Sequence, residues 1–234
     1  TYVTGKAAYN AGLKLRSEIL RLSNMGNDSL ITIEKNEIII SNQGKRQKID
    51  LSALQLIENN YVIVAEETYD PPTTSLDENG QGIPYAVYGY GAQMAEITVD
   101  TELGLLKIDK ITAAHDLGKT INPLLAEGQI EGGIAQGIGF ALMEEYIPSK
   151  TENLHDYLIP SIGDVPEIES ILIEKNDPEG PFGARGLGEH VLIPTAPAIM
   201  NALRNATGAI ITKLPALPDR ILEAIEISKN GSSK

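Results

Sequence analysis

Two short stretches hold the residues whose types and spacing could do chemistry. The first, Gly183-Ala-Arg-Gly-Leu-Gly-Glu-His190, sets three glycines around Arg185 and then presents Glu189. Glycine loses more conformational freedom on folding than any other residue, so this density points to a tight turn or to backbone pressed against something flat or bulky. Glu189 has two readings. It is a carboxylate at the start of a helix opening near residue 190, favoured by the helix dipole, and taken alone this is the stronger reading. Or it is a general base held beside a large ligand, which requires a fixed position next to the proton it removes. The second stretch, Glu127-Gly-Gln-Ile-Glu-Gly-Gly133, carries Gln129. That residue is either a polar group on an exposed helix face or an amide that both donates to and accepts from a ligand lying against the neighbouring glycines. Arg185 is a surface cation or an anion clamp. His115-Asp116, in "HDLGKTINP", reads by default as a turn closed by an Asx-type hydrogen bond.

The glycine runs do not make a nucleotide site. "GIAQGIG" and "GARGLG" both place the close glycine pair last, unlike Gly-x-Gly-x-x-Gly, and no Gly-Lys-Ser/Thr follows a glycine loop. A net charge of −13 disfavours nucleic acid and anionic membrane as partners, because both need a basic footprint. The chain has 0 cysteines, which excludes disulfides and a thiolate-held iron–sulfur cluster within it. Its histidines, at 115, 155 and 190, are too scattered to announce a metal site, and no metal ligand is assigned. No apolar run reaches the roughly 18 residues that span a bilayer. The chain begins with Thr1 and shows no signal peptide, so the expectation is a cytoplasmic piece of something larger.

The elements that must position these residues are legible in part. Apolar positions recur at helical spacing over 6–22. "SLITIEKNEIIIS" and "KRQKIDL" alternate around a turn at Lys35-Asn36 and predict a small antiparallel meander. Residues 51–60 read as a short helix and 61–69 as a strand, before the Pro-rich segment 71–90. A hairpin is expected between "GAQMAEITVD" and "LLKIDKITAAHDLG", turning at 101–104. Pro123 opens a long helix holding five glycines, at 128, 132, 133, 137 and 139. Each costs about 1 kcal/mol relative to alanine, which makes sense if backbone or a large ligand packs closely against that face. "PEIESILIE" reads as a strand, "HVLIPTAPAIMNALRNATG" as mostly helix, and "ALPDRILEAIEIS" as a terminal helix with Pro218 in its first turn. The fold class is α+β, hairpin-rich sheets packed with helices. The organisation expected is an N-terminal subdomain over 1–70, a connecting loop over 71–90 and a cofactor-binding subdomain over 91–234.

"AAHDLGKTINPLLAEGQIEGGIAQGIGFALMEEY", "DVPEIE" and "GARGLGEH", in this order and spacing, resemble the molybdenum-binding subunit of the xanthine dehydrogenase and aldehyde oxidase family. The resemblance runs through almost the whole chain and places it as the C-terminal part of that subunit. It implies a component of a molybdopterin-dependent hydroxylase acting on purines, aldehydes or N-heterocycles at an electron-poor carbon, with oxygen drawn from water. It implies molybdopterin, with or without a cytosine dinucleotide tail. Glu189 aligns with the family's base, Gln129 with a cofactor-contacting glutamine, and Arg185, Gly186, Leu187 and Gly188 with the loop that approaches metal and pterin.

There are two departures. The loop usually carries lysine where this chain has Arg185, which keeps the charge but changes its geometry. His190 stands where proline is usual and is expected to point to solvent. The resemblance also puts much of the cofactor cradle upstream, and iron–sulfur clusters and FAD on partner domains or subunits. The expected partners are therefore the upstream half of the molybdenum subunit, the electron-carrying subunits and a small-molecule substrate. The isolated chain is expected to be inactive, as a natural split subunit or an excised fragment. The competing reading is a non-catalytic assembly domain that keeps the fold without cofactor.

Overall fold

The computed structural model describes residues 1–231. It divides into two compact units, residues 1–86 with 179–181, and residues 87–178 with 182–234.

In the first unit, helix α1 (Tyr2–Ser23) precedes a meander of β1 (Leu30–Glu34), β2 (Glu37–Asn42) and β3 (Lys45–Asp50), in that spatial order. Lys35 takes a left-handed φ of 52° in the tight turn between β1 and β2, where Glu34 pairs with Glu37. Ile19 and Leu20 of α1 meet Ile38 and Ile40 of β2 in one apolar cluster. A meander this small needs such a helix to cover its apolar face. Two expectations fail in this unit. Residues 51–60 form two 3₁₀ turns, Leu51–Ala53 and Glu58–Asn60, instead of a helix. Asn59 and Asn60 take positive φ, which breaks a helical run. Residues 61–69 join no strand ladder; Ile63 packs on the cluster of α1 and β2 through its side chain, with no backbone pairing to a strand.

The second unit is built on a sheet ordered β4 (Tyr90–Asp100), β5 (Leu105–Asp116), β6 (Glu167–Ile173). β4 and β5 form the expected long hairpin. Its turn is fastened by Asp100 Oδ1, which accepts from the amides of Glu102 (2.9 Å) and Leu103 (3.0 Å). β6 pairs parallel to β5, and the α2 helix (Pro123–Leu142) lies in the crossover between them. A parallel pair requires such a crossover. Asn122 caps α2, accepting from the Leu125 amide at 3.1 Å, and Pro123 occupies the first turn, where its missing N–H costs nothing. The α3 helix (Thr195–Thr207) and the α4 helix (Pro218–Gly231) complete the unit. Ile111 and Ala113 of β5, Ile130, Ile134 and Ile138 of α2, and Val191 and Ile199 form its core.

The architecture is α+β, as the sequence patterns predict. Among the described residues, no helix is long and apolar enough to cross a membrane.

Candidate functional site

The glycines of α2 divide between two faces. A Cβ at Gly133 would lie 2.9 Å from Val191 Cβ, and one at Gly137 would lie 2.5 Å from Thr195 Cβ. These two glycines let the segment after the glycine loop lie directly on the helix. At Gly128 and Gly132 an added Cβ would meet nothing within 4 Å. That bare face also carries Gln129 and Gln136, both exposed.

The glycine loop is fastened at its start. The amides of Lys119 (2.7 Å) and Asp177 (3.0 Å) both donate to the Gly183 carbonyl, and the Arg185 amide donates to Leu117 O at 2.7 Å. The Arg185 side chain is nearly buried. Its Nη1 donates to Asp116 Oδ2 at 3.0 Å, its Nε lies 3.3 Å from Asp177 Oδ2, and its guanidinium sits over the Tyr90 ring at 5.4 Å. Asp116 Oδ1 also closes an Asx turn on the Gly118 amide at 2.9 Å, as expected for that residue. Beyond Arg185 the fastening stops. The amides of Gly186, Leu187 and Gly188 donate no backbone hydrogen bond to the described residues. The Leu187 side chain packs on the core.

Glu189 opens a 3₁₀ turn, Glu189–Val191, and its side chain is exposed. α3 itself begins at Thr195, with Pro197 in its first turn. The helix expected to open near residue 190 therefore starts later. The dipole effect fades within the first turn, so the reading of Glu189 as a helix-start carboxylate loses its main support.

His115 is not in a turn. It lies on β5, two residues beyond Ala113 on the same buried face, and is 0% exposed. His190 is half-buried and stacks edge-on against it, ring centroids 5.3 Å apart, where solvent was expected. Loss of hydration pushes the His115 pKa down from 6.5 to about 4, helped by the proximity of His190. Burial also lowers that of His190. Both rings are therefore neutral near pH 7. Gly91 and Gly89 of the neighbouring strand segment make room for them. A Cβ at Gly91 would fall on the His115 ring, and one at Gly89 would lie 2.8 Å from His190 Cγ. Behind the pair, Gln93 of β4 bonds to Val191 O at 2.8 Å and to Thr195 Oγ1 at 2.8 Å.

A cavity of about 140 Å³ opens between the bare face of α2 and the Glu189 turn, lined by Gly128, Gln129, Gly132, Gln136, Gly188 and Glu189, among others. The fold thus brings Gln129, Gly188 and Glu189 to one place. The lining includes neither Arg185 nor Leu187. Gly186 has open space around it. Gln136 is a site candidate that sequence reasoning passed over, although it lies seven residues after Gln129 on the same helical face. A larger cavity, about 570 Å³, lies along α4 beside Ile210, Ile211 and Ile227. Its Arg220 is tied to Glu145 at 2.6 Å, and it brings together none of the residues singled out for chemistry. Among the described residues, no group of His, Cys, Asp or Glu side chains could hold a metal ion. What the small cavity offers is the side-chain amides of Gln129 and Gln136, the Glu189 carboxylate and Gly188, beside helix backbone bared by Gly128 and Gly132. This donor set suits a flat, polar, hydrogen-bonding group better than a bare ion.

Comparison with known proteins places the chain in a family. Residues 1–166 match the molybdopterin cofactor-binding domain. The chain is 43% identical over 152 residues to the aldehyde oxidoreductase of Megalodesulfovibrio gigas, covering 63% of this chain and 16% of that protein. It is 41% identical over 145 residues to the xanthine dehydrogenase molybdenum-binding subunit of Escherichia coli O157:H7, covering 59% of this chain and 19% of that one. Among solved structures, the aldehyde oxidoreductase of Desulfovibrio desulfuricans superposes with a TM-score of 0.66 at 39% identity, over 70% of this chain and 18% of that one. Quinoline 2-oxidoreductase from Pseudomonas putida 86 does so at 0.67 and 27% identity, over 91% and 28%. The chain therefore spans about a fifth of the length of the curated relatives it matches. It belongs to the molybdopterin cofactor-binding domain family of the xanthine dehydrogenase and aldehyde oxidase type of molybdenum hydroxylase, and corresponds to the C-terminal part of the molybdenum subunit.

Proposed function

We propose that this chain supplies the base and part of the cofactor cradle of a xanthine dehydrogenase-like hydroxylase. Its substrates are purines, N-heterocycles or aldehydes, attacked at an electron-poor carbon by water-derived oxygen. The observation that carries the reading is the cavity shared by Gln129 and Glu189, whose helix wall is bared by Gly128 and Gly132. The fit to a pterin is good. The wall takes a flat group at van der Waals distance, Gln129 and Gln136 can donate to it and accept from it, and Gly188, which lines the cavity, has an amide with no backbone partner among the described residues. When bound, the molybdenum cofactor supplies the oxidising centre of the reaction.

This chain's own part is proton transfer and positioning. Glu189 takes the proton of the water-derived hydroxyl as its oxygen attacks the substrate carbon. Its turn is backed by α2 through Gly133. Arg185 acts at one remove, holding the loop through Asp116 and Asp177 while Gly186 and Gly188 face the cofactor. With no thiolate in the chain, iron–sulfur clusters sit on partner domains, as does flavin, and the upstream part of the subunit completes the cradle. The isolated chain is accordingly inactive. The pterin is molybdopterin itself or its cytosine dinucleotide. A cavity that keeps both Gln129 and Glu189 speaks against the reading as a non-catalytic assembly domain.

Glu189→Gln in the assembled enzyme tests this. It keeps size and reach and removes basicity. Molybdenum content and substrate binding are expected to stay unchanged while reduction of the enzyme by substrate slows by about 10²–10⁴-fold. A variant that loads molybdenum and is reduced at the wild-type rate would remove Glu189 from the chemistry.

A further inference from the structure

β4 directs Gln93, Ala95, Ile97 and Val99 to one side, and three of the four are apolar. Ala95 and Ile97 pack on the core as the pattern requires. Gln93 breaks it. An amide taken out of water is costly unless its hydrogen bonds are replaced, and a methionine would fill the same space without that cost. The bonds Gln93 makes explain its presence. Its Nε2 donates to the Val191 carbonyl at 2.8 Å, and its Oε1 accepts from Thr195 Oγ1 at 2.8 Å. The Val191 carbonyl can only accept, so the amide's orientation is determined. The second N–H of the amide faces His115 Nε2 at 3.3 Å.

One side chain therefore ties β4 to β5, to the end of the Glu189–Val191 turn and to the first residue of α3. Val191, Thr195 and His115 are each 0% exposed and Gln93 is half-buried, so competing water reaches these bonds only in part. The turn is also held by Val191 in the core, by Thr195 N, which donates to Leu192 O at 3.2 Å, and by a longer contact of Thr195 Oγ1 with Val191 O at 3.4 Å. Within it, Val191 N reaches Gly188 O at 3.3 Å and Leu192 N reaches Glu189 O at 3.0 Å. On its other side it rests on α2, where Gly133 admits Val191.

We propose that Gln93 is the positioning residue of the Glu189 turn, gripping it by the Val191 carbonyl and the Thr195 hydroxyl so that the carboxylate keeps its place at the cavity. The consequence for rate rests on the reading of Glu189 as the base. The grip itself does not.

The assembled, molybdenum-loaded enzyme carrying Gln93→Met, which keeps the shape and loses the bonds, is compared with Gln93→Glu, which cannot donate to Val191 O. Thr195→Val and Thr195→Ser form a second pair, the serine retaining the hydroxyl. Amide hydrogen exchange at 191–195 is expected to rise roughly 3- to 10-fold in the first three variants, the factor that a lost neutral hydrogen bond is worth, with the Ile130 and Ile134 amides of α2 unchanged. Thr195→Ser restores protection. The limiting rate of reduction by substrate falls by up to about 10²-fold at unchanged substrate affinity, as expected for a catalytic group displaced by about 1 Å. Unchanged exchange at 191–195 in Gln93→Met, or in Thr195→Val if the former does not assemble, overturns the proposal. Loosened exchange with an unchanged rate upholds the grip and overturns the role of Glu189 instead.

Discussion

Arg185 spans two carboxylates that a lysine could not serve equally. Its planar fork reaches Asp116 and Asp177 from different nitrogens and lies over Tyr90, whereas an ammonium is a single point charge. The departure from the lysine that the family resemblance leads one to expect thus has a local partner set that suits it. The neighbouring histidines make a different use of burial. His115 has a folded pKa of about 4 against an ordinary value of 6.5, and that of His190 is lowered as well. Between those pH values the unfolded chain binds a proton that the folded chain refuses. Stability is therefore full above about pH 6.5 and falls as the pH drops towards 4, by about 1.4 kcal/mol for each pH unit from His115. Urea unfolding at pH 7 and pH 4.5 should show this loss, and His115→Gln should reduce its steepness. An equal slope in the variant would show that the acid sensitivity comes from other groups.

At the scale of elements, α2 does two jobs with one residue type, and substitution separates them. Gly132→Ala adds a methyl group where no protein atom lies within 4 Å, so the fold is expected to be kept and even stabilised by up to about 1 kcal/mol. The same methyl intrudes on the proposed pterin face, so molybdenum content should fall. Gly137→Ala puts a Cβ 2.5 Å from Thr195 Cβ, which forces α2 and α3 apart. The expected loss of stability is about 1–3 kcal/mol, read in thermal unfolding. Full molybdenum content in Gly132→Ala would place the cofactor elsewhere. The sequence announces the existence of the glycine helix but not this division of faces, because which glycine meets Val191 or Thr195 depends on how the segment after the loop returns. The hairpin, the meander and the terminal helices are legible for the opposite reason, since each is set by local periodicity and turn chemistry. Residues 61–69 mislead because strand-like composition is realised only where a neighbouring strand exists. The burial of His115 could have been read from Ile111, Ala113 and His115 alternating on one face. The stacking of His190 on it could not, for it joins residues 75 apart in the chain.

At the scale of the whole molecule, the chain spans about a fifth of the length of its relatives, and on the proposed reading it supplies one wall of the site. How much of that wall is ready before the cofactor arrives follows from the loop's hydrogen bonds. The sequence alone leads one to expect residues 183–189 to be mobile without cofactor. The bonds divide the loop instead. Arg185 donates its amide to Leu117 and its side chain to Asp116, and Gly183 O accepts two amides, all from within the protein. Gly186, Leu187 and Gly188 lack such backbone partners among the described residues. Amide exchange in the cofactor-free enzyme should accordingly find Arg185 protected and 186–188 fast. On loading, the second group should slow while the first changes little, because the cofactor would accept from those amides and exclude water from them. The rigid first half sets the loop's direction, and the open second half would be closed by the cofactor itself. Fast exchange at Arg185 without cofactor would mean that the Asp116–Arg185–Asp177 arrangement does not hold the loop. Fast exchange at 186–188 in the loaded enzyme would mean that the cofactor takes no hydrogen bond from it.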